Sequence, residues 1–121
     1  LTRVTILAQP GRVREGLAAL LTGFGDALLE VSFWGAAQPR PTSPSHPDIY
    51  IVDLDAPESR AWLAQRRQST SQRPWVALTN SAEQMAAAQH EGAAAILIWG
   101  FTAGELYLAV RRCLGTIPII F

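Results

Sequence analysis

Short apolar runs alternate with segments whose apolar residues recur at helical spacing along nearly the whole chain. Val4-Thr5-Ile6-Leu7-Ala8 reads as a short buried strand. Gln9-Pro10-Gly11 breaks it, and Pro10 suits the first position of a helix. Val13, Leu17, Leu20, Leu21 and Phe24 follow at a spacing that puts them on one helical face, and Gly23 and Gly25 end that helix. Residues 28–34 predict a second strand. Asp48-Ile49-Tyr50-Ile51-Val52-Asp53 predicts a third, apolar on both faces and therefore central in a parallel sheet. Residues 74–78 and 94–98 predict the fourth and fifth.

Capping patterns mark the remaining helices. Asp55 with Glu58 three residues on predicts a helix from Asp55 to about Arg67. Ser81 with Gln84, and Thr102 with Glu105, are capping-box pairs that start helices at about 82–91 and 103–114, stopped by Gly92 and Gly115. Leu106, Val110, Cys113 and Leu114 share one face of the last helix. Residues 35–47 carry prolines at 39, 41, 44 and 47, which forbids a regular helix, so the second crossover helix is expected to be lost or shortened to an exposed loop. Residues 68–73 form a polar connection. Strands joined by helices imply one α/β domain with a parallel sheet, right-handed crossovers and helices on both faces. The domain is expected over residues 1–115, with 116–121 an apolar linker or docking tail.

Composition narrows the function. Apolar residues make up 49% of the 121 and charged residues 17%, a globular balance. Ten basic and ten acidic residues cancel, which gives the domain no electrostatic reason to bind nucleic acid unaided. All ten basic residues are arginine, so chemistry that needs a lysine amine (P-loop phosphate binding, Schiff bases, a lysine phosphate sensor) is excluded within this chain. Cys113 is alone, which rules out an internal disulfide and suits the cytosol; Val110 and Leu114 beside it favour a buried structural thiol. No run approaches the ~18 apolar residues of a membrane span. The chain begins at Leu1 rather than Met and reads as a piece of a longer protein.

In an open parallel sheet, ligands sit at the carboxyl ends of the strands. That directs attention to Gln9-Pro10, Asp53 with Asp55, Thr79-Asn80 and Trp99-Gly100. No nucleophile–base pair, Gly-rich phosphate loop or metal-ligand spacing occurs there or around His46 and His90, so neither an enzyme nor a metal or cofactor site is expected. Trp34, Trp62 and Trp75 are expected in the core or at its rim.

The stretch from Pro47 to Pro57 resembles the third strand of response-regulator receiver domains, with Asp53 at the phospho-acceptor position. Residues 75–80 resemble their fourth strand, which ends in the hydroxyl residue that senses the phosphoryl group, here Thr79. Residues 91–98 are similar to their Gly-Ala turn and fifth strand, and Glu105-Leu106 with Ala109-Val110-Arg111-Arg112 look like their last helix. The likeness runs from about residue 3 to 115 and implies a flavodoxin-like three-layer α/β/α fold with a five-stranded parallel sheet in order 2-1-3-4-5. Helix followed by Gly115 is similar to the subfamily whose receiver precedes a helix-turn-helix DNA-binding domain.

The departures carry the functional expectation. The family ends strand one with two acidic residues that hold Mg²⁺; Gln9 and Pro10 stand there. The family ends strand five with a phosphate-pairing lysine; Trp99 stands there, followed by Gly100 where proline is usual. A phosphoryl group adds roughly −1.5 to −2 charge, and two unit charges ~4 Å apart interact by about 4 kcal/mol at an effective dielectric of ~20. The phosphoryl charge therefore loses both its expected counter-charges, even if Arg12 reaches the pocket. The resemblance then implies an atypical, or pseudo-, receiver of a two-component-type regulator, with little or no Mg²⁺-dependent phosphorylation. It is expected to act through homodimerisation or through a partner such as a histidine kinase or another regulatory protein. DNA contact is expected only through a separate C-terminal domain. A conventional receiver phosphorylated on Asp53, and a small-molecule sensor lined by Gln9, Asp53, Thr79 and Trp99, are the alternatives.

Overall fold

The computed structural model describes residues 2–9, 11–23, 29–33, 47–68 and 73–114. Five strands, β1 (Thr2–Leu7), β2 (Leu29–Phe33), β3 (Ile49–Asp53), β4 (Trp75–Thr79) and β5 (Ala95–Ile98), alternate with α1 (Arg12–Thr22), α2 (Ser59–Gln68), α3 (Ala82–His90) and α4 (Ala103–Cys113). The strands form one sheet in order β2-β1-β3-β4-β5, and every neighbouring pair is parallel. This is the flavodoxin-like topology expected from the sequence.

Side-chain alternation along the strands separates two apolar layers. Val4, Ile6, Ile49, Ile51, Val76 and Leu78 pack against Leu17 and Leu21 of α1 and Leu106, Ala109 and Val110 of α4. Leu7, Val52, Trp75 and Ala77 face the other way, against Trp62 of α2 and Ala88 of α3. β3 lies between β1 and β4 and is buried on both faces, which is why its run is apolar without alternation. Thr5, the polar exception inside β1, is answered by Ser32 on β2, hydroxyl to hydroxyl at 3.0 Å.

The second layer is aromatic. The Trp62 ring meets Tyr50 edge-on at 5.1 Å and Trp75 at 5.3 Å, and the Arg66 guanidinium lies over Trp62 at 5.5 Å. Trp62 and Trp75 are thus core residues, as expected. Burial raises the Cys113 thiol above its ordinary value, in keeping with a structural role.

Two local expectations fail. The helix after β3 starts at Ser59, not Asp55. Successive turns (the Ala56 amide to the Asp53 carbonyl, the Ser59 amide to the Ala56 carbonyl) occupy the intervening residues, and the Asp55 carboxylate is drawn to side chains elsewhere. The Ser81–Gln84 capping box is only half formed. Ser81 accepts from the Gln84 amide at 3.1 Å, but the Gln84 side chain turns to Asn80 and Asp55. The Thr102–Glu105 box is complete. Pro10, Phe24, Gly25, Leu28, Trp34, residues 35–46 with the expected loss or shortening of the second crossover helix, Gly115 and the 116–121 tail lie outside the described residues. No helix among the described residues is long and apolar enough to cross a membrane.

Candidate functional site

The carboxyl ends of β1, β3, β4 and β5 lie at one end of the sheet, where Asp53 closes β3. As the last residue of β3, Asp53 sits one step beyond Ile51 on the row that faces α1 and α4, and it is 3% exposed. Its Oδ1 accepts the Asp55 backbone N–H at 3.0 Å. Trp99 arrives at the same place because its backbone N–H donates to the Thr79 carbonyl at 3.0 Å, extending the β4–β5 ladder one residue past β5. The Trp99 side chain comes close enough to the Asp53 carboxylate to favour its charged form. An indole has a single polar atom, its N–H, and that atom can only donate. The ring is half-buried, lies 5.2 Å from Phe101, and packs against the core under α1 and α4. Gly100 has φ +108°, a conformation closed to proline, whose ring locks φ near −65°. The chain therefore leaves β5 by a path that the family's usual proline cannot take.

Gln9 is exposed at the end of β1, and its side-chain amide donates to the Asp55 carbonyl at 3.4 Å. The Asp55 carboxylate looks the other way. One oxygen accepts from the Gln84 side-chain amide at 2.7 Å, the other from the Asn80 side-chain amide. Gln84 closes the ring by accepting the Asn80 backbone N–H at 2.6 Å. Thr79 is fully buried, and its hydroxyl donates to the Leu97 carbonyl at 3.0 Å, tying β4 to β5. Arg12 is exposed at the start of α1. The arginine that turns back toward β1 is Arg14, which donates to the Ala8 carbonyl at 3.0 Å and stacks on Phe33.

Sequence reasoning brought Gln9, Asp53, Thr79 and Trp99 to one end of the sheet, and the strands place them there. It assigned Asp55 and Gln84 to helix caps and so missed the Asp55–Asn80–Gln84 ring. The spacing of a capping box looks the same whether the Gln side chain reaches back to its cap or outward to another loop.

Electrostatically the cleft is anionic and short of cations. Burial lifts the Asp53 carboxyl above its ordinary value; the Asp55 N–H opposes the rise, the Asp55 charge adds to it, and the Trp99 side chain again opposes it. The receiver resemblance implies Mg²⁺ at this place, and the residues present do not fit it. A divalent ion needs converging oxygens. Here the Asp55 carbonyl faces an amide N–H, the Asp53 carboxylate accepts the Asp55 N–H, and the Asp55 carboxylate is engaged by Asn80 and Gln84. Among the described residues, no group of three or more His, Cys, Asp or Glu is placed to share an ion.

A raised carboxyl in the folded state penalises folding once the group ionises. The penalty is complete above the folded-state value, shrinks as pH falls, and vanishes below the ordinary value of 3.8. Asp53→Asn keeps an oxygen for the Asp55 N–H and removes the charge. It is expected to raise the unfolding midpoint by a few degrees at pH 7–8, with the gain disappearing toward pH 4. An unchanged or lower midpoint at pH 8 would refute the assignment.

No protein-family model and no curated protein sequence matches the chain. Solved structures do. The chain is similar to a response regulator receiver protein from Burkholderia phymatum (TM-score 0.75, 21% identity, covering 99% of this chain and 100% of that one). It is also similar to a response regulator receiver domain protein from Clostridium thermocellum (TM-score 0.75, 19% identity, 95% of each chain). A third match is a response regulator receiver modulated diguanylate cyclase from Pelobacter carbinolicus (TM-score 0.68, 23% identity, 96% of this chain and 94% of that one). The chain has the fold of response-regulator receiver domains, and at these identities the likeness extends to the fold alone.

Proposed function

We propose that this chain is a receiver-type signal-input domain of a two-component-type regulator, working through protein contacts and not through Mg²⁺-dependent phosphorylation of Asp53. One observation carries the reading. At the two places where a receiver cleft calls for positive charge stand neutral side chains: Gln9, whose amide donates to the Asp55 carbonyl, and Trp99, which lies beside Asp53. A phosphoryl group on Asp53 would find no cation in either of them. Thr79, the switch-equivalent residue, already spends its hydroxyl on Leu97.

The contact surface fits a second copy of the chain or a regulatory protein. Ile98 at the end of the edge strand β5 and Leu108 on α4 are the exposed large apolar residues among those described, at 56% and 48% exposure. Output to DNA, and with it a role in transcription, belongs in this reading to a separate domain. Incubation with acetyl phosphate and Mg²⁺, followed by intact-mass measurement, tests the proposal. The mass is expected to stay unchanged. A stable gain of one phosphoryl group that is absent in Asp53→Asn would overturn it and favour a conventional acceptor.

A further inference from the structure

The Asp55 carboxylate is exposed, yet both its oxygens are engaged by side chains 25 and 29 residues away in sequence. Those side chains, Asn80 and Gln84, flank the N-cap of α3. Gln84 also holds the Asn80 backbone N–H, and its own N–H goes to Ser81. Gln9 reaches the same residue from β1 through the Asp55 carbonyl. One residue therefore joins the loop after β3, the β4–α3 junction and the end of β1. An ionised acceptor with two amide donors makes stronger hydrogen bonds than neutral pairs do.

We infer that Asp55 acts as a built-in ligand that holds the β4–α3 junction in a single state. Here a carboxylate of the chain itself ties the two loops together, so the face formed by α3, β5 and α4 is presented constitutively. The inference rests on the reading of the cleft as one that takes no phosphoryl group, and it names how the same site is regulated: by an internal contact, with no external signal at Asp53.

Amide hydrogen exchange on the folded chain tests it. In Asp55→Ala, exchange at the Asn80 and Gln84 backbone N–H groups is expected to speed up about tenfold or more, while amides of β1, β3 and β4 keep wild-type protection. Asp55→Asn, which retains one acceptor oxygen, is expected to fall between. Gln84→Ala, which removes the second arm without touching the β3 loop, is expected to release Asn80 to a similar extent. Exchange at Asn80 within twofold of wild type in both Asp55→Ala and Gln84→Ala, with the sheet still protected, would overturn the inference. That outcome is distinct from failure of the proposed function, which shows as phosphoryl mass on the wild-type chain whatever the exchange rates do.

Discussion

Replacing Gln9 with glutamate is expected to make the chain's thermal stability depend on Mg²⁺, and the wild type's is expected not to. Glutamate has the length and shape of glutamine but presents an oxygen where Gln9 presents an N–H to the Asp55 carbonyl. Two oxygens then face each other near the Asp53 carboxylate, and a bound cation would relieve their repulsion. Without metal the variant should unfold at a lower temperature than wild type. With Mg²⁺ at about a hundred times its dissociation constant, linkage supplies roughly 2.7 kcal/mol, enough to carry the midpoint up by several degrees. The measurement is a pair of melting curves with Mg²⁺ and with a chelator, on wild type and variant. A wild-type midpoint that rises with Mg²⁺ as much as the variant's would show that the native cleft already accommodates the ion.

The second large effect is on folding. Trp75→Ala should destabilise the domain by about 3–5 kcal/mol, a substantial share of the 5–15 kcal/mol that typically separates folded from unfolded. Trp75 is fully buried in β4 and is gripped edge-on by Trp62, which in turn meets Tyr50. Its removal opens a cavity in the layer that holds α2 and α3 to the sheet. The indole N–H of Trp75 has no partner among the described residues. Trp75→Phe, which keeps a ring and discards that N–H, should therefore cost far less. Denaturant titration of the two variants separates ring volume from hydrogen bonding. Equal losses would mean that the N–H is satisfied and matters.

How much of this could be read from the residues depends on what kind of force sets each feature. The strands were legible because burial on both sides leaves a plain mark. Ile49, Ile51 and Val52 can sit together only in a central parallel strand, and Trp75 to Leu78 likewise. The helix at Thr102 was legible because its cap is local and self-contained. The start of α2 was not. Asp55 and Glu58 have cap spacing, but the tertiary attraction of Asn80 and Gln84 for the Asp55 carboxylate outcompetes a local cap, and a sequence window cannot contain both partners. The same holds at the cleft. The absence of acidic residues at the end of β1 and of lysine at the end of β5 is visible in the letters Gln9 and Trp99. That the Gln9 amide reaches the Asp55 carbonyl and that Trp99 comes beside Asp53 is not, because it depends on how separate turns approach each other.

The placement of the indoles has an optical consequence. Trp62 and Trp75, with Tyr50 edge-on to Trp62, form a chiral aromatic trio at the amino ends of β3 and β4, while Trp99, paired with Phe101, lies beside a carboxylate at the opposite end of the sheet. Among the described indoles, the first group is placed to contribute to near-ultraviolet circular dichroism and the second to carboxylate-sensitive emission. The intact domain thus carries two native spectroscopic handles, one for core order and one for the cleft, and neither needs an added dye.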